Sequence, residues 1–85
     1  MVIRSSPRFE KNYKKLPRSI KEQAKKKEAI FRKDVFDARL RTHKLSGYKQ
    51  DTWSFSITYS YRIKFVFLHN KEVLFLDIGT HKIYK

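Results

Sequence analysis

The sequence predicts an α+β domain in the order β-α-α-β-β-β: an antiparallel sheet with an N-terminal two-helix hairpin on one face. Three observations carry this prediction. Ser6-Pro7 is a helix start signal, with serine as N-cap and proline at the first helical position. Apolar residues then recur at helical spacing as far as Phe31. From Trp53 the apolar period becomes two, as in half-buried strands.

Val2-Ile3-Arg4 reads as a short opening strand. Phe9, Tyr13 and Leu16 form one buried stripe of the first helix, with Lys11, Lys14 and Lys15 facing elsewhere. Pro17 breaks that helix and opens the next. Ile20, Ala24, Lys27 and Phe31 mark the second stripe, opposite Lys21, Lys25, Lys26 and Arg32. The very short connection predicts antiparallel helices. Asp34 to Gly47 has no clean period; Leu40 and Leu45 are its anchors, and Gly47 marks a turn. Trp53, Phe55 and Ile57 alternate with Ser54, Ser56 and Thr58, and Tyr61, Ile63, Phe65 and Phe67 with Arg62, Lys64 and Val66. Leu68-His69-Asn70-Lys71 is a hairpin turn, and Val73 to Ile78 is a central strand. Phe9, Leu16, Ile20, Ile63, Phe65 and Leu76 are the expected core.

With 85 residues, the chain is expected to form a single domain over 1–85. Its formal net charge is +13, unevenly placed: residues 1–50 hold 16 basic and 5 acidic side chains, and residues 51–85 hold 5 and 3. Aromatics are 15% of the chain, too many for a disordered basic tail. A folded domain this basic expects a polyanion: nucleic acid, an anionic membrane or an acidic protein partner. With no cysteine, disulfides and thiolate metal sites are excluded, which fits a cytoplasmic location. No apolar run approaches the roughly 20 residues that span a membrane, and the first residues do not read as a signal peptide. Asp34, Asp37, Asp51 and Asp77 are too scattered to indicate a metal site.

A sheet with both helices on one side leaves its other face open. If Tyr61, Ile63 and Phe65 pack on the helices, Arg62, Lys64, Ser54 and Ser56 point to the open face. Basic side chains beside hydroxyls and aromatics suit an RNA backbone with stacked bases. A lone arginine in an apolar strand requires an anion, which makes Arg62 a phosphate ligand ahead of an ion pair with Asp77. Val73–Ile78 delivers Thr80, His81 and Tyr84 at the end of a strand, where side chains are exposed and fixed in direction. Trp53, Tyr59 and Tyr61 are read as structural, His69 as a solvated turn residue, and the helix lysines as a solvated face.

Five segments in this order carry a resemblance: Phe36-Asp37-Ala38-Arg39-Leu40; Thr42-His43-Lys44-Leu45-Ser46-Gly47; Trp53-Ser54; Tyr61-Arg62-Ile63; and Ile78-Gly79-Thr80-His81 with Tyr84. Over essentially its whole length the chain resembles the RelE/ParE superfamily of toxins from toxin–antitoxin pairs. Within it, the resemblance is to the RelE/StbE and YafQ-like ribosome-dependent mRNA interferases. It implies a RelE-like fold and metal-independent cleavage of mRNA in the ribosomal A site, with no cofactor. Arg62 matches the arginine that holds the scissile phosphate. His81 matches a general acid or base, Tyr84 the C-terminal aromatic, and His43 a further histidine. Lys44, Lys49, Lys64 and Ser54 are the expected RNA- and phosphate-binding residues. The implied partners are the ribosome, mRNA and a cognate antitoxin that is acidic and partly disordered when free, with no membrane.

One spacing departs from the pattern. Many relatives place the aromatic four residues after the histidine, whereas Tyr84 follows His81 by three. In an extended segment a one-residue slip reverses the side chain, so the direction of Tyr84 stays open at this point. Two other functions remain: a ParE-like gyrase inhibitor of the same fold, and a non-catalytic RNA- or ribosome-binding module. The ParE-like branch generally lacks the histidine and aromatic near its C-terminus, so His81 and Tyr84 argue against it.

Overall fold

The computed structural model describes residues 1–84 and has the predicted α+β architecture. Strand β1 (Val2–Ser5) leads into helices α1 (Pro7–Lys14) and α2 (Arg18–Lys33). A 3₁₀ turn at Ala38–Leu40 precedes β2 (His43–Leu45), β3 (Thr52–Ser56), β4 (Tyr61–Phe67) and β5 (Glu72–Thr80). A second 3₁₀ turn, His81–Tyr84, follows directly.

The helix start is built as its sequence dictates. The Ser6 hydroxyl accepts from the Phe9 N–H at 3.0 Å, and Pro7 opens α1. Such a cap contributes about 1 kcal/mol. Here it also ties the helix to the sheet, because the same hydroxyl donates to the Leu76 carbonyl at 2.7 Å.

Both helices bury their apolar stripes on one face of the sheet. Phe31 is fully buried at the centre, with its ring 4.6 Å from Phe55, 5.0 Å from Phe65 and 5.5 Å from Phe75. Phe9 packs on Phe75 at 5.4 Å. Truncating a ring so placed to alanine costs about 3–5 kcal/mol. Ile63 and Leu40 are buried in the same cluster. Leu16 is only half-buried and packs against its margin, while Ile20 and Leu76, expected in the core, are half-buried outside it. Trp53 is also marginal, joining Phe36 and Phe67 in an aromatic group at one end of the sheet.

The sheet differs from the expectation in two respects. It has five strands, ordered β1-β5-β4-β3-β2, and it is mixed: β1 runs parallel to β5, and only the other three pairings are antiparallel. A four-residue strand with no hairpin partner carries no sign of its direction. That direction is set by the Ser6 cap, which sends the chain up into α1 beside β5. Strand β2 has three residues, too few to show a period, and lies between two left-handed positions, Arg41 (φ 52°) and Gly47 (φ 85°).

The 68–71 turn forms where predicted, with positive φ at Asn70 and Lys71 as a tight hairpin demands. Across it, β4 and β5 lose register once, between Lys64 and Phe65, where the partners jump from Asp77 to Phe75. This bulge explains why Val73–Ile78 shows no clean alternation. It also turns the buried Asp77 carboxylate toward α1, where it accepts from Asn12 Nδ2 at 2.7 Å and from the Ile78 N–H at 2.8 Å.

Candidate active site

The face of the sheet opposite the helices carries two rows of polar side chains. The register aligns Ser56 with Arg62 and Arg62 with Gly79. The neighbouring row aligns His43 with Ser54 and Ser54 with Lys64. The alternation read from the sequence therefore brings Arg62, Lys64, Ser54 and Ser56 to one face, and β2 adds His43 beside them.

The 3₁₀ turn His81–Tyr84 folds back over this face. Gly79 makes the close approach possible: a Cβ there would lie 2.9 Å from Ile83 Cγ2. The Tyr84 phenol shares a hydrogen bond of 2.6 Å with the buried Ser54 hydroxyl. The Tyr84 carbonyl accepts from the Tyr48 hydroxyl at 2.8 Å. Lys64, 9% exposed, donates to the Ile83 carbonyl at 2.9 Å, with its ammonium 5.3 Å from the centre of the Tyr48 ring. The direction of Tyr84 is thus decided by helical, not extended, geometry, and it points onto the open face. Lys64 and Ser54 both hold this turn in place.

Arg62 lies one row along. Its guanidinium donates from Nη1 to the Ser56 hydroxyl at 2.6 Å and to the Thr58 carbonyl at 2.8 Å. Both acceptors are neutral, and Asp77 is turned away to α1. Arg62 is therefore half-buried without a carboxylate partner among the described residues. It lines a cleft of about 410 Å³ at the end of the β3–β4 hairpin, together with Ser56, Thr58, Tyr59, Lys27, Arg39 and Arg41.

His81 is exposed at the first position of the C-terminal turn, directly after β5. His43 is exposed on β2, its Nδ1 3.0 Å from the Arg41 carbonyl. Lys44 and Lys49 are not part of this face. Lys44 is aligned with Trp53, on the helix side, and pairs with Asp51 at 3.1 Å. Lys49 is exposed in the loop that joins β2 to β3. Tyr59 is placed otherwise than its structural reading expects: it is 90% exposed, whereas Tyr61 packs against the core. A tyrosine within three residues of an arginine in a tight hairpin was the available signal.

Asp37 directly precedes the cleft residues Ala38 and Arg39. Its two oxygens accept from Arg39 Nε at 3.0 Å and Nη2 at 2.9 Å, and one also accepts from the Arg39 N–H at 2.9 Å. These bonds, the side-chain ones first, hold its carboxyl at about 2, against an ordinary 3.8, while the same contact raises Arg39 further. The pair fixes the 3₁₀ turn that carries the buried Leu40. No three metal-ligating side chains gather among the described residues, and no described helix is long and apolar enough to cross a membrane.

Neither a family model nor a curated protein sequence matches the chain. Solved structures do. The RelE–RelB complex of the archaeon Pyrococcus horikoshii OT3 gives a TM-score of 0.75 at 15% identity, over 93% of this chain and 92% of that one. The YoeB/ParE toxin of Agrobacterium tumefaciens gives 0.78 at 15% identity, over 95% and 99%. The DinJ–YafQ toxin–antitoxin complex of Escherichia coli gives 0.76 at 18% identity, over 95% and 92%. The chain therefore shares the fold of these toxins. More particularly, it is the fold of the RelE/ParE toxin superfamily, shared by RelE, YafQ and YoeB across nearly the whole of both chains.

Proposed function

We propose that this protein is the toxin of a type II toxin–antitoxin pair and acts as a metal-independent, ribosome-dependent endoribonuclease on mRNA in the A site. The observation that carries the reading is Arg62: a half-buried guanidinium with neutral partners only, on the face that also presents His43 and Tyr84. A gyrase inhibitor has no need of that combination.

The chemistry asks three things of the side chains. The ribose 2′-oxygen loses a proton as it attacks the adjacent phosphorus. The phosphate gains negative charge in the transition state. The 5′-oxygen of the next nucleotide leaves and takes up a proton. The products are a 2′,3′-cyclic phosphate and a free 5′-hydroxyl, so protons and bonds balance without water or metal. Arg62 stabilises the charge, since its Nη2 is not used by Ser56 or Thr58. His81 transfers a proton, being exposed at a strand end where a substrate can reach it. Tyr84 is positioned by Ser54, and His43 stands beside that pair. The helix lysines Lys14, Lys15, Lys25 and Lys26 are exposed and suit the ribosomal RNA backbone.

The partner that restrains such a toxin is a cognate antitoxin. The chain's +13 charge favours an acidic segment that is partly disordered when free and folds on binding. The toxin–antitoxin complex of YafQ with DinJ supports an assembly of this kind.

The test is cleavage of a defined mRNA on programmed ribosomes, with the ends of the fragments analysed. Cuts within the A-site codon that leave a cyclic phosphate and a 5′-hydroxyl are expected. Gyrase inhibition with intact RNA would establish the ParE-like alternative, and ribosome binding without either activity would establish the non-catalytic one.

A further inference from the structure

The cleft beside Arg62 contains more than one phosphate contact requires. Lys27 from α2, Arg39 and Arg41 from the segment before β2, and Arg62 from β4 all line it. Only Arg39 has a carboxylate partner, Asp37. Lys27 donates to the Arg39 carbonyl at 3.3 Å, and Arg41 makes no ion pair among the described residues. Four cations thus face the one carboxylate of Asp37, which also feels Lys27, so their mutual repulsion is only partly offset and an anion in the cleft would relieve the remainder.

Two details refine what that anion is. Arg41 sits in the left-handed region (φ 52°, ψ 41°), which a residue other than glycine adopts at a cost and which clusters at functional sites. Tyr59, on the rim of the same cleft, is 90% exposed. An exposed tyrosine alone is ordinary. An exposed ring next to unpaired guanidinium groups is the pairing that binds single-stranded nucleic acid: bases stack on the ring while cations follow the backbone. An acidic peptide would use the cations and leave the ring idle.

We propose that this cleft is a nucleotide subsite, with the base stacked on Tyr59 and its phosphate held by Arg41 and Lys27, one step along the strand from the phosphate on Arg62. This rests on the ribonuclease reading and adds the path of the RNA. The strand leaves the sheet face at Arg62 and turns toward α2, away from Tyr84. Because stacking is indifferent to base identity, the subsite sets affinity more than sequence preference.

A 2′-O-methyl RNA trinucleotide tests this without cleavage, since its blocked 2′-oxygen cannot attack. Titrated into the isotopically labelled protein, it should shift the NMR signals of Tyr59, Arg41 and Arg62 and leave His69 unmoved. Tyr59→Ala should weaken binding about tenfold with an unchanged salt slope, as loss of a stack does. Arg41→Asn keeps a residue suited to the left-handed backbone. It should weaken binding and flatten the slope of log K against log salt by about 0.7. Shifts confined to other surfaces, or equal affinity in both folded variants, would overturn the subsite. Displacement of the trinucleotide by a polyglutamate peptide that binds the same residues more tightly would overturn it in favour of a protein dock. If the trinucleotide binds as expected but ribosome-bound mRNA is never cut, the subsite stands and the nuclease reading fails.

Discussion

The Ser54 hydroxyl and the Tyr84 phenol meet at 2.6 Å across the open face of the sheet, joining the middle of β3 to the turn that follows β5. Ser54 is fully buried beneath that turn, so the phenol is its route to satisfaction. The pair makes Tyr84 part of the fold before it is part of any reaction.

Tyr84→Phe should therefore lower stability by about 1 kcal/mol, the net worth of one such hydrogen bond, by removing the partner of a buried hydroxyl. Urea unfolding measures this, and the dependence on urea concentration should be unchanged. Cleavage should slow by less than about tenfold, because the ring remains in place. Unaltered stability with cleavage abolished would instead make the phenol the proton donor.

Gly79→Ala puts a methyl 2.9 Å from Ile83 Cγ2. The contact is with the end of a flexible side chain, so the global penalty should stay below about 1–3 kcal/mol, the range for overpacking. The local effect should be larger. The Lys64–Ile83 and Ser54–Tyr84 bonds loosen together, and the amides of Ile83 and Tyr84 exchange faster while those of Phe65 and Phe75 do not. Uniform acceleration across the sheet would show that the turn is not an independent layer.

Arg62→Ala should depress cleavage at every pH, since a guanidinium stays charged throughout. His81→Gln should slow it by about 10²–10⁴ and flatten the pH profile, because glutamine cannot exchange the proton. Single-turnover cleavage across pH, on variants shown folded by circular dichroism, separates the two. Parent-like cleavage by folded His81→Gln would pass proton transfer to His43.

The Asp37 carboxyl should titrate near 2 when followed by NMR, and Arg39→Ala should return it toward 3.8. The folded value lies below the ordinary one. Any stabilisation from this pair is thus complete above about 3.8 and is lost as pH falls through about 2. Stability near neutral pH should not vary through this group.

Much of this layout is legible in the residues alone. Ser6-Pro7 announces α1 because a cap and a fixed φ act locally, and the alternation of Trp53–Ile57 and Tyr61–Phe67 sorts the two faces because β geometry is local too. Arg62, Lys64, Ser54 and Ser56 fall together for that reason. What escapes is decided at a distance. The parallel direction of β1 depends on β5, the turn of Asp77 on a bulge, and the exposure of Tyr59 on how tightly the β3–β4 hairpin closes. The occupation of Lys64 and Ser54 depends on a turn about twenty residues further on, which no period in β3 or β4 records.

The pairing of β1 with β5 has a consequence for synthesis. Ser6 caps α1 but also bonds to Leu76, 70 residues later. At translation speeds of about 5–20 residues per second, the opening strand and its helix wait roughly 4–14 s for their neighbour. The strand that ends this wait also brings Gly79, and behind it His81 and Tyr84. A chain still missing β5 has neither a complete sheet nor the turn that covers Ser54 and Lys64. The last pairing of the sheet and the turn that covers its open face therefore arrive together.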